Sequence, residues 1–412
     1  MKILFVNQKP FNNPSGAERS AINVAVGLSK IGHQVECLYC GDETRTDSWK
    51  IEGQSITAHS VKSDSIHSEF ELSQSARDLL SWLQNHNLSS YDVIHSHNSA
   101  GHIAVGKLEN QDVTKVGTVR DYKWLCEGDA MCHTTGNDFN SCTDLDCCDS
   151  LIAETRCSSR LSNRGRYFMP IRLVRTAYRQ SIQQRIKNGL SDIDHVISIS
   201  KLIKNILVSN TSLSTTDVTT IYNSVLLDSY PEPQSNTNNE LLFVGSLKPQ
   251  KGILEAIKSF SLISDRIQEY ELIVAGDGRL RSDAEDLVAE FSLSRRVRFV
   301  GHVDRDTILQ LYSQASVVLY PSVWPEPFGR VSIEAMASGT PIVGSKFGAI
   351  PEVLDDWPSS RIADPTDNEQ FSQEILQVLD SDHAPKKLSK ESVYSHLIAA
   401  DKHEKLYVEL NQ

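Results

Sequence analysis

Apolar residues in this chain fall into two alternating patterns, short unbroken runs and runs spaced three or four apart, and the alternation continues from end to end. Residues 2–6 read as a buried strand, residues 7–15 as a polar loop, and Ala21, Val24, Ala25, Leu28 and Ile31 fall at helical spacing up to Gly32. Residues 35–39 form the next strand, which completes a β-α-β unit. Further strands are expected over 92–96, 114–119, 195–200, 218–222, 241–244, 271–275 and 298–300. Helical spacing separates them, with helices ending near Asn85 and Phe291, starting at Lys201, spanning 304–314, and closing the chain from about Asp367 and Ser392. Residues 42–68 are polar and keep no steady period. Strands that alternate with helices in this way build parallel sheets covered on their faces, an α/β architecture.

The densest stretch is 318–343, VLYPSVWPEPFGRVSIEAMASGTPIV. Val317, Val318, Leu319 and Tyr320 make a strand that stops at Pro321, and a loop with Trp324, Pro325, Glu326 and Pro327 leads to Phe328 and Gly329, where helical spacing starts. Gly339, Thr340 and Pro341 end that helix before a second short strand. Glu326 therefore belongs to the loop, and Glu334 is a carboxylate on a mostly apolar helix. An ionised group in such surroundings requires a hydrogen-bonding partner, which is either a protein side chain or a ligand. Both readings stand at this point. A helix N-terminus at the carboxyl end of a strand is also where open α/β sheets bind phosphates, because free amides and the helix dipole point outward there.

Length and composition narrow the class. A chain of 412 residues is too long for one ordinary core and suits two domains of about 150 to 200 residues. With 39% hydrophobic and 23% charged residues it reads as a globular protein, and no apolar run approaches the roughly 20 residues of a membrane span. Residues 1–6 are too short for a signal peptide's apolar region, so a cytoplasmic location is the default expectation. A net charge of −12 argues against nucleic acid as a partner.

Of the eight cysteines, Cys37 and Cys40 lie near one strand, while Cys126, Cys132, Cys142, Cys147, Cys148 and Cys157 crowd together with His133 and several aspartates. Their spacing fits thiolate zinc knuckles only in part. A structural metal, reduced thiols and disulfides all stay open for this segment. Between Arg156 and Lys187 every charge is positive, and from Met169 the pattern is helical. Such a basic amphipathic helix suits contact with anionic lipid or a phosphate-bearing acceptor, or equally a helix packed on the sheet with solvated arginines.

Glu326 and Glu334, set in P-S-x-x-x-E-P-F-G-x-x-x-x-E-A-M-A-x-G-x-P-I-V, resemble the signature of the retaining glycosyltransferases of family four, which have the GT-B fold of two Rossmann-like domains facing a cleft. The resemblance covers most of the chain and is denser in the second half. It implies an acceptor-side domain over 1–228 with the cysteine-rich insertion at about 126–157, a linker over 229–240, a nucleotide-sugar domain over 241–390, and a helix over 391–412 that crosses back to the first domain. Glu334 would then accept hydrogen bonds from the ribose hydroxyls. Glu326, followed by Pro327 and acting with the amides of Phe328 and Gly329, would hold the transferred sugar. Lys251 would neutralise the diphosphate, Val303 would border the base, and Gly16 would bring backbone close to the ligand. His97, in a His-x-His like the family's, would border the acceptor.

Two positions depart from the pattern. Arg120 stands where many members have histidine, and a guanidinium does not accept a proton at working pH, so it would pair with an anion but not serve as a base. Ser246 stands where an arginine usually accompanies the lysine, which removes one diphosphate cation. The implied partners are a UDP- or GDP-sugar and a glycan, lipid-linked or small-molecule acceptor, with no cofactor required for transfer and peripheral membrane contact through 160–187. The alternatives are a nucleotide-sugar-binding protein with little transfer activity and an epimerase on the same fold.

Overall fold

The computed structural model describes residues 1–10, 16–63, 71–109, 112–125, 169–232, 238–355, 357–381 and 386–412. The chain divides into two compact units, Met1–Ser224 together with His396–Gln412, and Val225–Ser395. Residues 225–228, which the sequence assigns to the first domain, are thus grouped with the second.

The first unit is built on an eight-stranded sheet in the order β3-β4-β2-β1-β5-β6-β7-β8. These strands are β1 Lys2–Val6, β2 Gln34–Gly41, β3 Arg45–Ile51, β4 Gln54–Lys62, β5 Val93–Ser96, β6 Thr114–Val119, β7 His195–Ser198 and β8 Val218–Thr220. All neighbours are parallel except β3, which pairs antiparallel with β4 across a tight turn. This edge hairpin lies in the stretch that shows no period in the sequence. Its reason is that β3 faces water on most positions and buries only Trp49, so no apolar alternation marks it.

The second unit carries a six-stranded parallel sheet in the order β11-β10-β9-β12-β13-β14. Its strands are β9 Glu240–Val244, β10 Glu271–Ala275, β11 Val297–Gly301, β12 Val317–Tyr320, β13 Ile342–Ser345 and β14 Ser360–Ala363. The central strands are apolar on both faces because helices cover both, and Phe243, Phe260, Leu272, Val274, Phe371 and Ile375 share one core. Among the described residues no helix is long and apolar enough to cross a membrane.

The last helix, His396–Leu410, packs on the first helix, Gly16–Lys30. Gly27 makes this possible, since a Cβ there would lie 2.5 Å from the His396 carbonyl oxygen and 2.9 Å from Ala400 Cβ. The same helix reaches the core beneath β5. Tyr407 is hydrogen-bonded to His95 Nδ1 at 2.6 Å, Thr118 Oγ1 to His95 Nε2 at 2.7 Å, and Ser96 Oγ to His102 Nδ1 at 2.7 Å. His97 stacks between Phe5 and His95, with ring centroids 4.2 and 4.1 Å away.

Burial holds His95, His97, His102 and His403 neutral, and the Arg120 charge adds to the effect, with His102 driven to about 3 and His403 to about 4. These groups are neutral in the fold and free to protonate in the unfolded chain. The unfolded chain therefore binds more protons once the pH drops below the ordinary 6.5. Stability is intact above 6.5 and is lost progressively as the pH falls toward the folded values.

Urea unfolding of the first unit should accordingly weaken between about pH 7 and about pH 4.5, by up to about 1.4 kcal/mol per pH unit for each histidine, and His102→Gln should flatten the slope. A transition that ignores pH across this window would contradict the buried cluster. Gly27→Ala should lower stability by about 1–3 kcal/mol through overpacking against the last helix, which thermal unfolding would read directly.

Candidate functional site

In the second unit the chain leaves β9 toward β10 on one side and returns to β12 on the other, so the sheet reverses its order between β9 and β12. In open α/β sheets a crevice forms at such a reversal, outside the carboxyl ends of the strands. Here it lies between the loop after β9, which leads to the helix Ile253–Ile263, and the loop after β12, which leads to the helix Arg330–Ser338.

These two loops are tied together. Gly252 adopts φ +73, and a Cβ at that position would fall 1.8 Å from the Pro321 carbonyl oxygen, so only glycine fits. The amide of Val323 donates to the Gln250 carbonyl at 3.1 Å, and Ser322 Oγ donates to it at 3.0 Å. The tie brings Lys251 to Glu326, with Nζ 2.6 Å from Oε1 and 5.4 Å above the Trp324 ring.

Glu326 is 5% exposed and is satisfied without a ligand. Ser322 Oγ lies 3.1 Å from the same Oε1, which competes with the Gln250 carbonyl for its single proton, and the Tyr320 hydroxyl also bonds the carboxylate. Burial, then the nearby Glu326 charge, pushes the Tyr320 phenol well above its usual range. The backbone is held as firmly, because the Ala349 amide donates to the Glu326 carbonyl at 2.8 Å and Gly348, at φ +70, passes so near that a Cβ would lie 2.3 Å from Glu326 N.

Glu334 is answered by a second set of side chains. Arg330, four residues earlier on the helix, donates from Nη2 to Oε1 at 3.0 Å, Arg305 Nη1 stands 3.7 Å from the same oxygen, and the Tyr312 hydroxyl donates to Oε2 at 3.1 Å. Burial works to raise this carboxyl, but the two guanidiniums outweigh it and hold it below the usual 4.5. Of the two readings that the sequence leaves open for Glu334, a protein side chain or a ligand, the structure shows protein partners.

The other expected donor-side residues lie at the same ends of the strands. Phe328 is buried, edge-on to Tyr394 at 6.1 Å, and Gly329 precedes the first turn of the helix. The helix starts one residue later than its pattern suggests. Ser246 is half-buried in the loop after β9, and Lys248 in that loop is exposed. Val303 follows β11 and precedes Asp304, whose Oδ1 accepts from the Thr307 amide at 2.8 Å and so starts the helix that carries Arg305 and Tyr312.

Within the first unit a similar reversal occurs between β1 and β5, since β2 lies on one side of β1 and β5 on the other. A polar cavity of about 170 Å³ opens there, lined among others by Asn7, His97, Asn98, Arg120 and Trp124. Asn98 donates to Asn7 Oδ1 at 2.6 Å and accepts from the Gly101 amide at 2.9 Å. Arg120 donates from Nη1 to Asn223 Oδ1 at 2.5 Å and from Nη2 to His97 Nδ1 at 3.2 Å. A guanidinium only donates, so Nδ1 of His97 is the acceptor and the ring proton sits on Nε2. His97 and Arg120 both line the cavity, and Arg120 only donates there. Gly16 is exposed at the start of its helix, with its carbonyl accepting from Ser20 Oγ at 3.2 Å.

The structure thus gathers Lys251, Ser246, Glu326, Phe328, Gly329 and Glu334 in the second unit, and His97 and Arg120 in the first. Sequence reasoning missed the side chains that answer them: Ser322 and Tyr320 at Glu326, Arg305, Arg330 and Tyr312 at Glu334, and Asn223 at Arg120. Only Arg330 had a local signal, its four-residue spacing from Glu334. The six clustered cysteines lie outside the described residues, and among the described residues no group of three or more His, Cys, Asp or Glu is arranged to hold a metal. Of the basic segment, the helix Met169–Ser191 is seen, and its Arg185 donates to Ser73 Oγ at 3.0 Å while Ile186 and Leu190 are buried.

A stretch of 114 residues is 44% identical to an uncharacterized glycosyltransferase of Methanocaldococcus jannaschii, covering 28% of this chain and 29% of that protein. The chain therefore spans under a third of the length of that relative. Among solved structures, sucrose-phosphate synthase of Thermosynechococcus elongatus superposes with a TM-score of 0.72 at 17% identity, over 99% of this chain and 98% of that one. Anabaena HepE in complex with UDP-glucose superposes with a TM-score of 0.58 at 16% identity, over 100% and 97%. These likenesses establish the α/β fold of two parallel-sheet units. Residues 229–393, which contain the Lys251, Glu326 and Glu334 constellation, match the family model described as glycosyl transferases group 1.

Proposed function

We propose that the chain is a retaining glycosyltransferase that moves a sugar from a nucleotide-sugar donor, a UDP- or GDP-sugar, to a glycan or lipid-linked acceptor. The observation that carries this reading is the Lys251–Glu326 pair at the sheet reversal, in front of a helix N-terminus and beside a second carboxylate, Glu334. A diphosphate takes the ammonium of Lys251 and the helix amides, the hydroxyls of the transferred sugar take Glu326, and the ribose takes Glu334. The likeness to a glycosyltransferase of Methanocaldococcus jannaschii supports the reaction class, and the UDP-glucose bound by Anabaena HepE supports the donor class.

The ion pair gives this binding a particular order of preference. Lys251 and Glu326 answer each other. A bare nucleoside diphosphate draws Lys251 away and leaves a buried carboxylate without its cation, which is unfavourable. A complete donor replaces both partners at once, phosphate oxygens for the lysine and sugar hydroxyls for the glutamate. The pair therefore favours donor over spent nucleotide.

In the transfer step the bond from the anomeric carbon to the phosphate oxygen breaks while the acceptor oxygen bonds the same face, and the acceptor's proton passes to the leaving phosphate. Lys251 stabilises the charge that gathers on that phosphate. The cavity of the first unit that His97 and Arg120 line is the candidate place for the acceptor.

Incubation with UDP-, GDP- and ADP-sugars and a panel of glycan and lipid-linked acceptors should show one donor class consumed and a product that keeps the anomeric configuration. Glu326→Gln should slow turnover about 10²-fold while binding the free nucleoside diphosphate several-fold more tightly, because the lysine is released. Lys251→Met should weaken both donor and diphosphate binding. Unchanged turnover in both variants would sink the assignment. Donor binding without turnover across the whole panel would instead mark a nucleotide-sugar-binding protein, the reading that Ser246 in the place of an arginine favours.

A further inference from the structure

The surroundings of Glu334 specify more than a carboxylate. An ionised carboxylate offers about four acceptor positions, two on each oxygen. Arg330 occupies one on Oε1 at 3.0 Å, and the Tyr312 hydroxyl occupies one on Oε2 at 3.1 Å. Arg305, at 3.7 Å from Oε1, is beyond hydrogen-bonding distance and supplies charge alone. Among the described residues one acceptor position is left on each oxygen, and the side chain keeps 13% of its surface open to solvent. That vacancy matches two neighbouring hydroxyls that donate one bond to each oxygen.

The partners are themselves fixed. Tyr312 is fully buried, and its carbonyl accepts from Thr340 Oγ1 at 2.6 Å. Arg305 sits in the first turn of the helix that Asp304 caps, with its guanidinium 5.0 Å above the buried Tyr230 ring. Arg330 comes from the helix of Glu334 itself, so the carboxylate is gripped by side chains of two different helices. A carboxylate held in this way stays in one rotamer, and its two open positions keep one direction.

We propose that Arg330, Arg305 and Tyr312 are positioning residues which, acting through Glu334, make the nucleotide site select a ribose with both hydroxyls over a 2′-deoxyribose. The proposal rests on the donor reading above, in which the ribose takes Glu334, and adds the residues that hold Glu334 in place for it. A deoxyribose leaves one acceptor position of Glu334 unanswered in a site that is largely shielded from water, and sites built to bond a hydroxyl reject analogues that lack it. Loosening the grip lets the carboxylate turn toward water, and the discrimination fades.

The test is calorimetric binding of UDP, GDP and ADP and of their 2′-deoxy counterparts to the full chain, with thermal unfolding as a check on folding. For the nucleotide that binds, wild type should prefer the ribo form by about tenfold or more. Tyr312→Phe, which removes only the hydroxyl, and Arg330→Met should bring that ratio below about threefold, while Arg330→Lys should retain most of it. Equal weakening of both forms with the ratio unchanged would show a merely structural role and overturn the proposal. A wild type that binds ribo and deoxy forms alike would overturn it while leaving the donor reading intact. Failure of all three ribonucleotides to bind wild type would overturn the donor reading and this inference with it.

Discussion

A carboxylate that is both buried and ionised must be surrounded by donors, and much of the second unit is arranged to surround Glu326. The donors come from separate places in the chain: Tyr320 from the end of β12, Ser322 from the following loop, and Lys251 from the loop after β9. Each place is fixed by something else, β12 by its pairing with β9, and the Lys251 loop by the contact of Gly252 with Pro321. Loss of either would remove a donor from the charge. The tight turns and the charge thus depend on one another, which is why glycine and lysine stand side by side there.

Much of this was legible in the chain before any coordinates. The strands with apolar residues on both faces declare themselves as unbroken runs, and the loops that carry Glu326 and Lys251 declare themselves by proline and glycine. What could not be read was which loops meet. Lys251 and Glu326 are 75 residues apart, and their contact exists only because the sheet order places β9 beside β12. Arg330 follows from helical spacing, whereas Arg305 reaches Glu334 from another helix that its own sequence does not tie to it. The edge strand β3 escaped for a different reason, since a strand turned to water needs no apolar pattern.

The histidines of the first unit illustrate how position changes chemistry. A His-x-His at a strand end suggests bases, yet burial and the neighbouring guanidinium keep these rings neutral, and the direction of one hydrogen bond assigns the proton of His97. Burial is the larger cause, and Arg120, which stands where the sequence pattern has histidine, adds to it. The donor-only character of Arg120 makes His97 Nδ1 the acceptor of their bond and leaves the ring proton on Nε2.

The packing of helix His396–Leu410 into the first unit bears on how the chain acquires its structure during synthesis. Residues that close the core around His95, Tyr407 among them, leave the ribosome only after the whole second unit has been made. The second unit is continuous in sequence and has what it requires to fold as it emerges, while the first must wait with an apolar helix face and a neutral histidine cluster uncovered. Exposure to aggregation or to chaperones therefore falls on the half that is translated first.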